Sequence, residues 1–176
     1  MRWVTGTKPL QVHLAPEGGQ TEFCNTYAAY DDLSPDDQAI YEELKVYHSF
    51  VSTQRITTPE PSLEQYLSWR ARGGNVLPLV WTHRSGRKSL VVGATTEYVV
   101  GMDPRESLDL LFKLRAWATQ PQYVYRHEWR LGDLVIWDNT GTLHRALPYD
   151  FASGRLMHRT KLAGEEPFYN NAHKPA

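Results

Sequence analysis

A β-sandwich or jelly roll with a few helices packed outside it is the fold class this 176-residue sequence predicts, on three observations. Short apolar runs rich in β-favouring residues recur along the chain, separated by Gly, Pro, Asp, Asn and Ser turn clusters. Helical periodicity is confined to a few segments that carry recognisable caps. Six Trp and ten Tyr suit strands that bury large side chains.

Taken in order, Leu10 to Leu14 alternates as a strand and runs into Pro16-Glu17-Gly18-Gly19. Thr21 to Cys24 resumes as a short strand, and Asn25 or Thr26 caps a helical turn through Leu33. Ser34-Pro35-Asp36-Asp37 is a helix start, with Ser34 at the N-cap, Pro35 at N1 and acids in the first turn. Ile40, Leu44 and Tyr47 line one face of that helix, which is expected to end near His48. Residues 53–75 read as a surface excursion, polar and proline-bearing as far as Pro61. It then holds a short amphipathic helix, with Leu63, Tyr66 and Leu67 inward, that Gly73-Gly74-Asn75 breaks. Leu77 to His83 and Lys88 to Gly93 flank Arg84-Ser85-Gly86-Arg87 as a hairpin. Asp103 caps the clearest helix, with Leu108, Leu111, Phe112, Arg115 and Trp117 at helical spacing, and Pro121 stops it. Gln122 to Arg130 is then a strand. No repeat, low-complexity tract or linker divides the chain, so residues 1–176 read as one domain.

The net charge of -1 argues against nucleic acid or an anionic membrane as the main partner. A small molecule fits better, with a homo-oligomer as a further expectation. The single Cys24 cannot form an internal disulfide, and no apolar run approaches a membrane span or signal segment, so a cytoplasmic setting fits. Cys24 itself reads as buried filler.

The stretch from Leu131 to Arg159 organises the rest. Leu134 to Trp137 is a β-favouring run after a Gly132-Asp133 turn, and Asp138-Asn139-Thr140-Gly141 is turn chemistry before a second run that ends in His144. Past Ser153-Gly154, alternation places Arg155, Met157 and Arg159 on one face of a strand. A histidine and two arginines on adjacent strands make a pocket for a metal and a carboxylate, and His144 and Arg155 are expected to open onto one cavity. The blander reading makes the arginines strand-face ion-pair partners, Thr21 an ordinary strand threonine, Asp138 and Asn139 turn formers, and Trp129 and Trp137 core or pocket wall. A zinc cluster of His127, His144 and His158 has no supporting spacing.

Several segments together resemble a known family. Gly18-Gly19-Gln20-Thr21-Glu22-Phe23 is followed by Ala28-Ala29-Tyr30-Asp31, and Pro78-Leu79-Val80-Trp81-Thr82-His83 by Gly86-Arg87-Lys88-Ser89-Leu90. Tyr125-Arg126-His127-Glu128-Trp129 then leads to Gly132-Asp133-Leu134-Val135-Ile136-Trp137-Asp138-Asn139, His144, Arg155 and His158-Arg159. From Leu10 to Pro167 this order is similar to the C-terminal two thirds of the TauD/TfdA group. These are taurine dioxygenase-like, Fe(II)- and 2-oxoglutarate-dependent oxygenases with a double-stranded β-helix of the jelly-roll, cupin-like type. The resemblance implies a mainly β domain with flanking helices, incomplete at its N-terminus. It implies iron and 2-oxoglutarate as metal and co-substrate, dioxygen as reactant, and hydroxylation of a small, acidic organic substrate with release of succinate and carbon dioxide. By the same resemblance His144 is a metal ligand, Thr21 and Arg155 hold 2-oxoglutarate, and Arg159 meets the substrate's acidic group. The residue types suit those roles, because neutral imidazole binds Fe(II) and a guanidinium fork pairs with a carboxylate through two parallel hydrogen bonds.

One departure stands beside the match. The family's metal site takes a second histidine and an acid from a His-x-Asp pair, and none of the seven histidines here begins a His-x-Asp or His-x-Glu. Trp3-Val4-Thr5-Gly6-Thr7 resembles the context of that pair with both ligands replaced. The chain is therefore expected to catalyse poorly by itself, and the alternative is a non-catalytic remnant that binds a dicarboxylate or oligomerises.

Overall fold

The computed structural model describes residues 13–162; Trp3 to Thr7, most of the strand expected over Leu10 to Leu14, and the end of the family resemblance lie outside them. In chain order the described elements are β1 (Thr21–Asn25), α1 (Thr26–Asp31), α2 (Pro35–Glu42), β2 (Lys45–Ser49), α3 (Phe50–Thr57), α4 (Leu63–Arg70), β3 (Gly74–Pro78), β4 (Val80–Thr82), β5 (Lys88–Leu90), β6 (Thr96–Val99), α5 (Pro104–Ala118), β7 (Val124–His127) and β8 (Thr142–Ala146). Short 3-10 turns occupy Pro121–Tyr123 and Phe151–Ser153.

The strands form three antiparallel sheets, ordered β7-β1-β8, β3-β2-β6 and β4-β5. Backbone bonds stitch them together: Leu79 N–H donates to Leu44 and Val91 N–H to Leu79, so the second and third sheets continue into one another. Between them and the helices lies one apolar core. Ala29, Tyr30, Val46, Leu79, Leu90, Val99, Leu111, Leu114 and Ala118 are all buried in it, and Cys24, Tyr123 and the half-buried Leu143 reach it from the first sheet and its approach. Each fully buried Leu contributes about 1.5–3 kcal/mol relative to exposure.

Capping sets the helix starts. Asp103 Oδ1 accepts from Arg105 and Glu106 N–H, with Pro104 in the first turn of α5. Asn25 caps α1 and Ser34 caps α2. A capping box of Ser62 and Gln65 opens α4. The face that α5 buries is Ser107, Leu111, Leu114 and Ala118, while Leu108 and Phe112 point to solvent.

Several expectations fail for identifiable reasons. The helix from Pro35 ends at Glu42, and Lys45 to Ser49 is the central strand of the second sheet. Ile40, Leu44 and Tyr47 match helical spacing only because two elements abut; Tyr41 is the residue α2 buries. Leu63, Tyr66 and Leu67 are not inward: they are 73%, 36% and 49% exposed, because α4 packs on α3 rather than on the core. The short strand β6 is an unanticipated element. Leu134 to Trp137 forms no ladder with any described residue, and Leu134 and Ile136 stay 83% and 79% exposed. Among the described residues, 155–160 pair only through one bridge, Leu156 to His13. Exposure alternates from Ser153 to His158, with Arg155 and Met157 half-buried, and the alternation ends at the exposed Arg159.

Candidate functional site

β1 is the central strand of its sheet, and its two faces do different things. Cys24 turns toward the helices and joins the core, and its thiol donates to the Ala118 carbonyl. Burial pushes that thiol up to about 11, so it is inert filler. On the same face Glu22 accepts two hydrogen bonds from Arg126 (3.0 and 2.7 Å) and one from Arg145 (2.7 Å), tying β7 and β8 to β1. Thr21 and Phe23 occupy the opposite face. Directly across from them, and hence on that face, lie His127 and Ala146 beside Thr21, and Tyr125 and His144 beside Phe23.

At the Thr21 end the chain makes a tight approach. Gly18 and Gly19 both have positive φ, 76° and 72°, and the Gly19 N–H donates to the Pro148 carbonyl at 3.1 Å. The Arg155 guanidinium lies over Tyr149, 4.6 Å from the ring centroid, and donates to the Gly19 carbonyl at 2.9 Å. A Cβ at Gly19 would sit 2.9 Å from Arg155 Nε, so glycine is what lets the arginine settle there. Arg155, Trp129, Glu128 and the Leu14–Gln20 stretch line a cavity of about 390 Å³. Beside it the Trp129 indole donates to Thr21 Oγ1 at 2.9 Å, which fixes both side chains.

At the Phe23 end sits an aromatic group. Trp137 lies 5.2 Å from both Phe23 and His144, ring to ring, and the Arg159 guanidinium is 5.7 Å above the Trp137 ring. Burial, and then the charge of Arg159, lower the His144 pKa, so the imidazole is held neutral, the form in which it ligates metals. The Trp137 indole N–H is buried with no hydrogen-bond partner, an orphan donor at this end. His144 and Arg155 were expected to open onto one cavity. Arg155 lines the cavity with Trp129, and His144 lies on the same sheet face, beside Trp137, over which the Arg159 guanidinium sits. His127 pairs with Asp133 at 3.0 Å, and among the described residues no group of three or more His, Cys, Asp and Glu converges as a metal site would require.

The Asp138–Gly141 turn between Trp137 and β8 is held from two sides. Tyr27 donates to Asp138 Oδ2 at 2.7 Å, and Thr140 donates to Asp138 Oδ1 through both its N–H (2.8 Å) and its hydroxyl (2.7 Å). Ser89 donates to the Thr140 carbonyl at 3.2 Å and contacts His83 Nε2 at 2.9 Å. Asp138 is thus a turn former, as its neighbours in sequence imply, but one gripped by a distant tyrosine. Sequence reasoning missed Tyr27, His83 and the seat at Gly19. Only the Gly18-Gly19 pair carried a signal, since successive glycines mark a close backbone approach.

The sequence profile of the Taurine catabolism dioxygenase TauD, TfdA family matches residues 10–161. The chain belongs to this family. It is 39% identical over 158 residues to an alpha-ketoglutarate-dependent 2,4-dichlorophenoxyacetate dioxygenase of Burkholderia sp. (strain RASC), a match covering 86% of this chain and 50% of that protein. A (S)-phenoxypropionate/alpha-ketoglutarate-dioxygenase of Sphingobium herbicidovorans is 38% identical over 153 residues, 84% of this chain and 53% of the relative. The crystal structure of AAD-2 in complex with Mn(II) and N-oxalylglycine superposes with a TM-score of 0.79 at 37% identity, over 89% of this chain and 62% of that one. A taurine dioxygenase from Burkholderia xenovorans follows at 0.64 and 31% identity, over 78% and 43%. The chain spans about half the length of the curated relatives it matches. Like its structural neighbours, this TauD/TfdA chain has the jelly-roll fold.

Proposed function

We propose that this protein is an Fe(II)/2-oxoglutarate-dependent dioxygenase that hydroxylates a small organic acid and releases succinate and carbon dioxide. The observation that carries the reading is the seat of Arg155, held by Gly19 and Tyr149 at the mouth of a cavity and flanked by the Trp129–Thr21 bond, on the sheet face that also carries His144. A planar guanidinium fixed in this way matches a carboxylate. Arg155 and Thr21 receive the distal carboxylate of 2-oxoglutarate, and His144 is a metal ligand. Arg159 pairs with the acidic group of the substrate while Phe23 and Trp137 supply an apolar wall beside it, an arrangement suited to the aryloxyalkanoates for which two relatives are named.

The metal fits less well than the co-substrate. Phe23, Trp137 and Arg159 surround His144 and none is a metal ligand, so the described residues hold one of the three donors of a two-histidine, one-carboxylate site and do not make it by themselves. The oxidation belongs to iron and 2-oxoglutarate; these side chains bind and orient. That same donor count favours a second reading, a dicarboxylate-binding module without turnover. A near-neutral charge keeps nucleic acid and anionic membranes outside both readings, and no helix among the described residues is long and apolar enough to cross a membrane. A cytoplasmic, homo-oligomeric protein is the setting we propose.

Titration calorimetry of 2-oxoglutarate into the full chain, compared with Arg155→Lys, tests the reading. Loss of the fork costs one charge-assisted bond, so binding weakens about tenfold or more. Equal affinity in the two proteins refutes the assignment of Arg155. Succinate formation with Fe(II), against His144→Ala, then separates dioxygenase from binding module.

A further inference from the structure

The turn that joins Trp137 to the His144 strand is short, exposed at Asp138 and built mostly of residues with little to bury. Its position is nonetheless overdetermined. On one side α1 supplies the Tyr27 hydroxyl to Asp138 and the Thr26 N–H to the Gly141 carbonyl, at 3.1 Å. The Tyr27 ring lies flush against Gly141: a Cβ there would come within 1.8 Å of Tyr27 Cε2. On the other side the β4–β5 hairpin supplies Ser89 to the Thr140 carbonyl, backed by His83, which also stands 3.4 Å from the Tyr27 hydroxyl. Arg87 covers the outer face of the Tyr27 ring at 4.5 Å and is itself tied to Asp31 at 3.2 Å. The hydroxyl of Tyr27 thus touches both the turn and the hairpin histidine from the α1 side, as Ser89 does from the hairpin side.

We infer that Tyr27 is a positioning residue: through Asp138 it sets the turn that presents Trp137 and His144 to Arg159, and so shapes the substrate end of the site. The consequence for function rests on the dioxygenase reading; the positioning itself does not. Two chemical features agree with it. The Tyr27 hydroxyl is pushed up to about 12 by burial and by Asp138, so it stays a proton donor throughout the physiological range. The Asp138 carboxyl, although partly buried, is held below the usual carboxylate range by bonds from Thr140 and Tyr27, so it stays an acceptor. The bond is thus fixed in one direction, and neither neutral pH nor mild acid reverses it. What it holds is a tryptophan whose indole N–H has no partner among the described residues and an imidazole 5.2 Å from it, ring to ring.

The test uses the full chain labelled with ¹⁵N. The Trp137 indole resonance is assigned by Trp137→Phe, and Trp117, whose indole donates to the Ala29 carbonyl, serves as the internal control for the seating of α1. In Tyr27→Phe the Trp137 resonance shifts and broadens, the Thr140 amide exchanges about tenfold faster, and the Trp117 resonance stays in place. Asp138→Asn, which keeps an oxygen for Thr140 and a polar group opposite Tyr27, retains most of the wild-type spectrum, whereas Asp138→Ala, which removes the Thr140 bonds as well, shifts the Trp137 resonance at least as far as Tyr27→Phe does. Trp137 and Thr140 signals unchanged in Tyr27→Phe overturn the inference, as does a Trp117 resonance that moves with them, which makes Tyr27 a mere core residue. Should Tyr27→Phe not fold, Asp138→Ala cuts the same bond from the exposed side, and an unmoved Trp137 resonance there is equally fatal. A parallel titration with N-oxalylglycine keeps the two readings apart: a wild-type chain that does not bind it sinks the dioxygenase assignment and leaves the positioning result standing.

Discussion

Replacing Glu22 with Gln tests the scaffold beneath the site. Glu22 is the central member of a three-strand ion cluster, its side chain 10% exposed, whereas Arg126 and Arg145 are 57% and 74% exposed. Two limits bracket the cost. Breaking a fully buried pair costs about 3–5 kcal/mol, because a stranded charge remains. Losing a surface pair costs about 0–1 kcal/mol. Here the stranded charges are arginines that rehydrate, but three short bonds to a nearly buried carboxylate disappear together, so about 2 kcal/mol is expected. With a denaturant slope of about 2 kcal/mol/M, the urea midpoint at pH 7 falls by about 1 M. The pH dependence supplies an independent check. Hydrogen bonds from Arg126, then Arg145, hold the Glu22 carboxyl below its ordinary value of 4.5. The unfolded chain therefore takes up this proton more readily than the folded one. The contribution is complete above the unfolded value and lost as pH falls through the folded one, so wild type loses stability below about pH 4.5 more steeply than Glu22→Gln. A midpoint shift under about 0.3 M, or parallel acid profiles for the two proteins, would show that the cluster does not clamp the sheet.

Two further perturbations follow from the same geometry. Gly141→Ala drives a methyl into the Tyr27 ring and costs about 2 kcal/mol, a fall in melting temperature of about 5 °C; an unchanged melting temperature would mean that the Tyr27 contact is slack. Burial lowers His48 to about 4, so its stabilising effect is complete above its ordinary value of 6.5 and drains away as pH falls toward 4. Wild type should then lose on the order of 3 kcal/mol more than His48→Gln between pH 7 and pH 4, read from urea midpoints, and equal losses would refute the assignment.

Local signals in the sequence located the elements whose chemistry is local. The Asp103-Pro104 start of α5, the Ser34-Pro35 start of α2 and the Gly86 turn of the β4–β5 hairpin all lie where caps and turn residues place them. Periodicity misled where partners decide. Val46 and Tyr47 look helical in continuation of α2, yet cross-strand bonds to Val99 and Leu77 on either side make them sheet. Leu134 to Trp137 has the composition of a strand but forms no ladder with any described residue. The site divides in the same way. Residue types at motif positions led to His144, Thr21, Arg155 and Arg159 as candidates, but that Arg155 lies over Tyr149 and against Gly19 while Arg159 lies over Trp137 is set by tertiary contacts that no local spacing announces. Tyr27 lies 111 residues from Asp138, and nothing in either local sequence announces the bond.

The two faces of β1 make stability and binding separable. Glu22 and Cys24 share one face, where the ion cluster and the apolar core hold the strand, and neither side chain lines the cavity. Thr21 and Phe23 face the other way, and their partners, Trp129, His144 and Trp137, belong to the site. Because successive side chains on a strand alternate, a one-residue slip of β1 would exchange these sets, burying Thr21 in the core and turning a carboxylate toward the arginines of the site. The Glu22 cluster opposes that slip, since both flanking strands meet the same carboxylate and a shifted register breaks three bonds at once. On this argument the ion cluster is retained less for its modest net energy than for fixing register, and Glu22→Gln should broaden the resonances of Thr21 and His144 at concentrations of urea that leave the Leu114 side of the core intact.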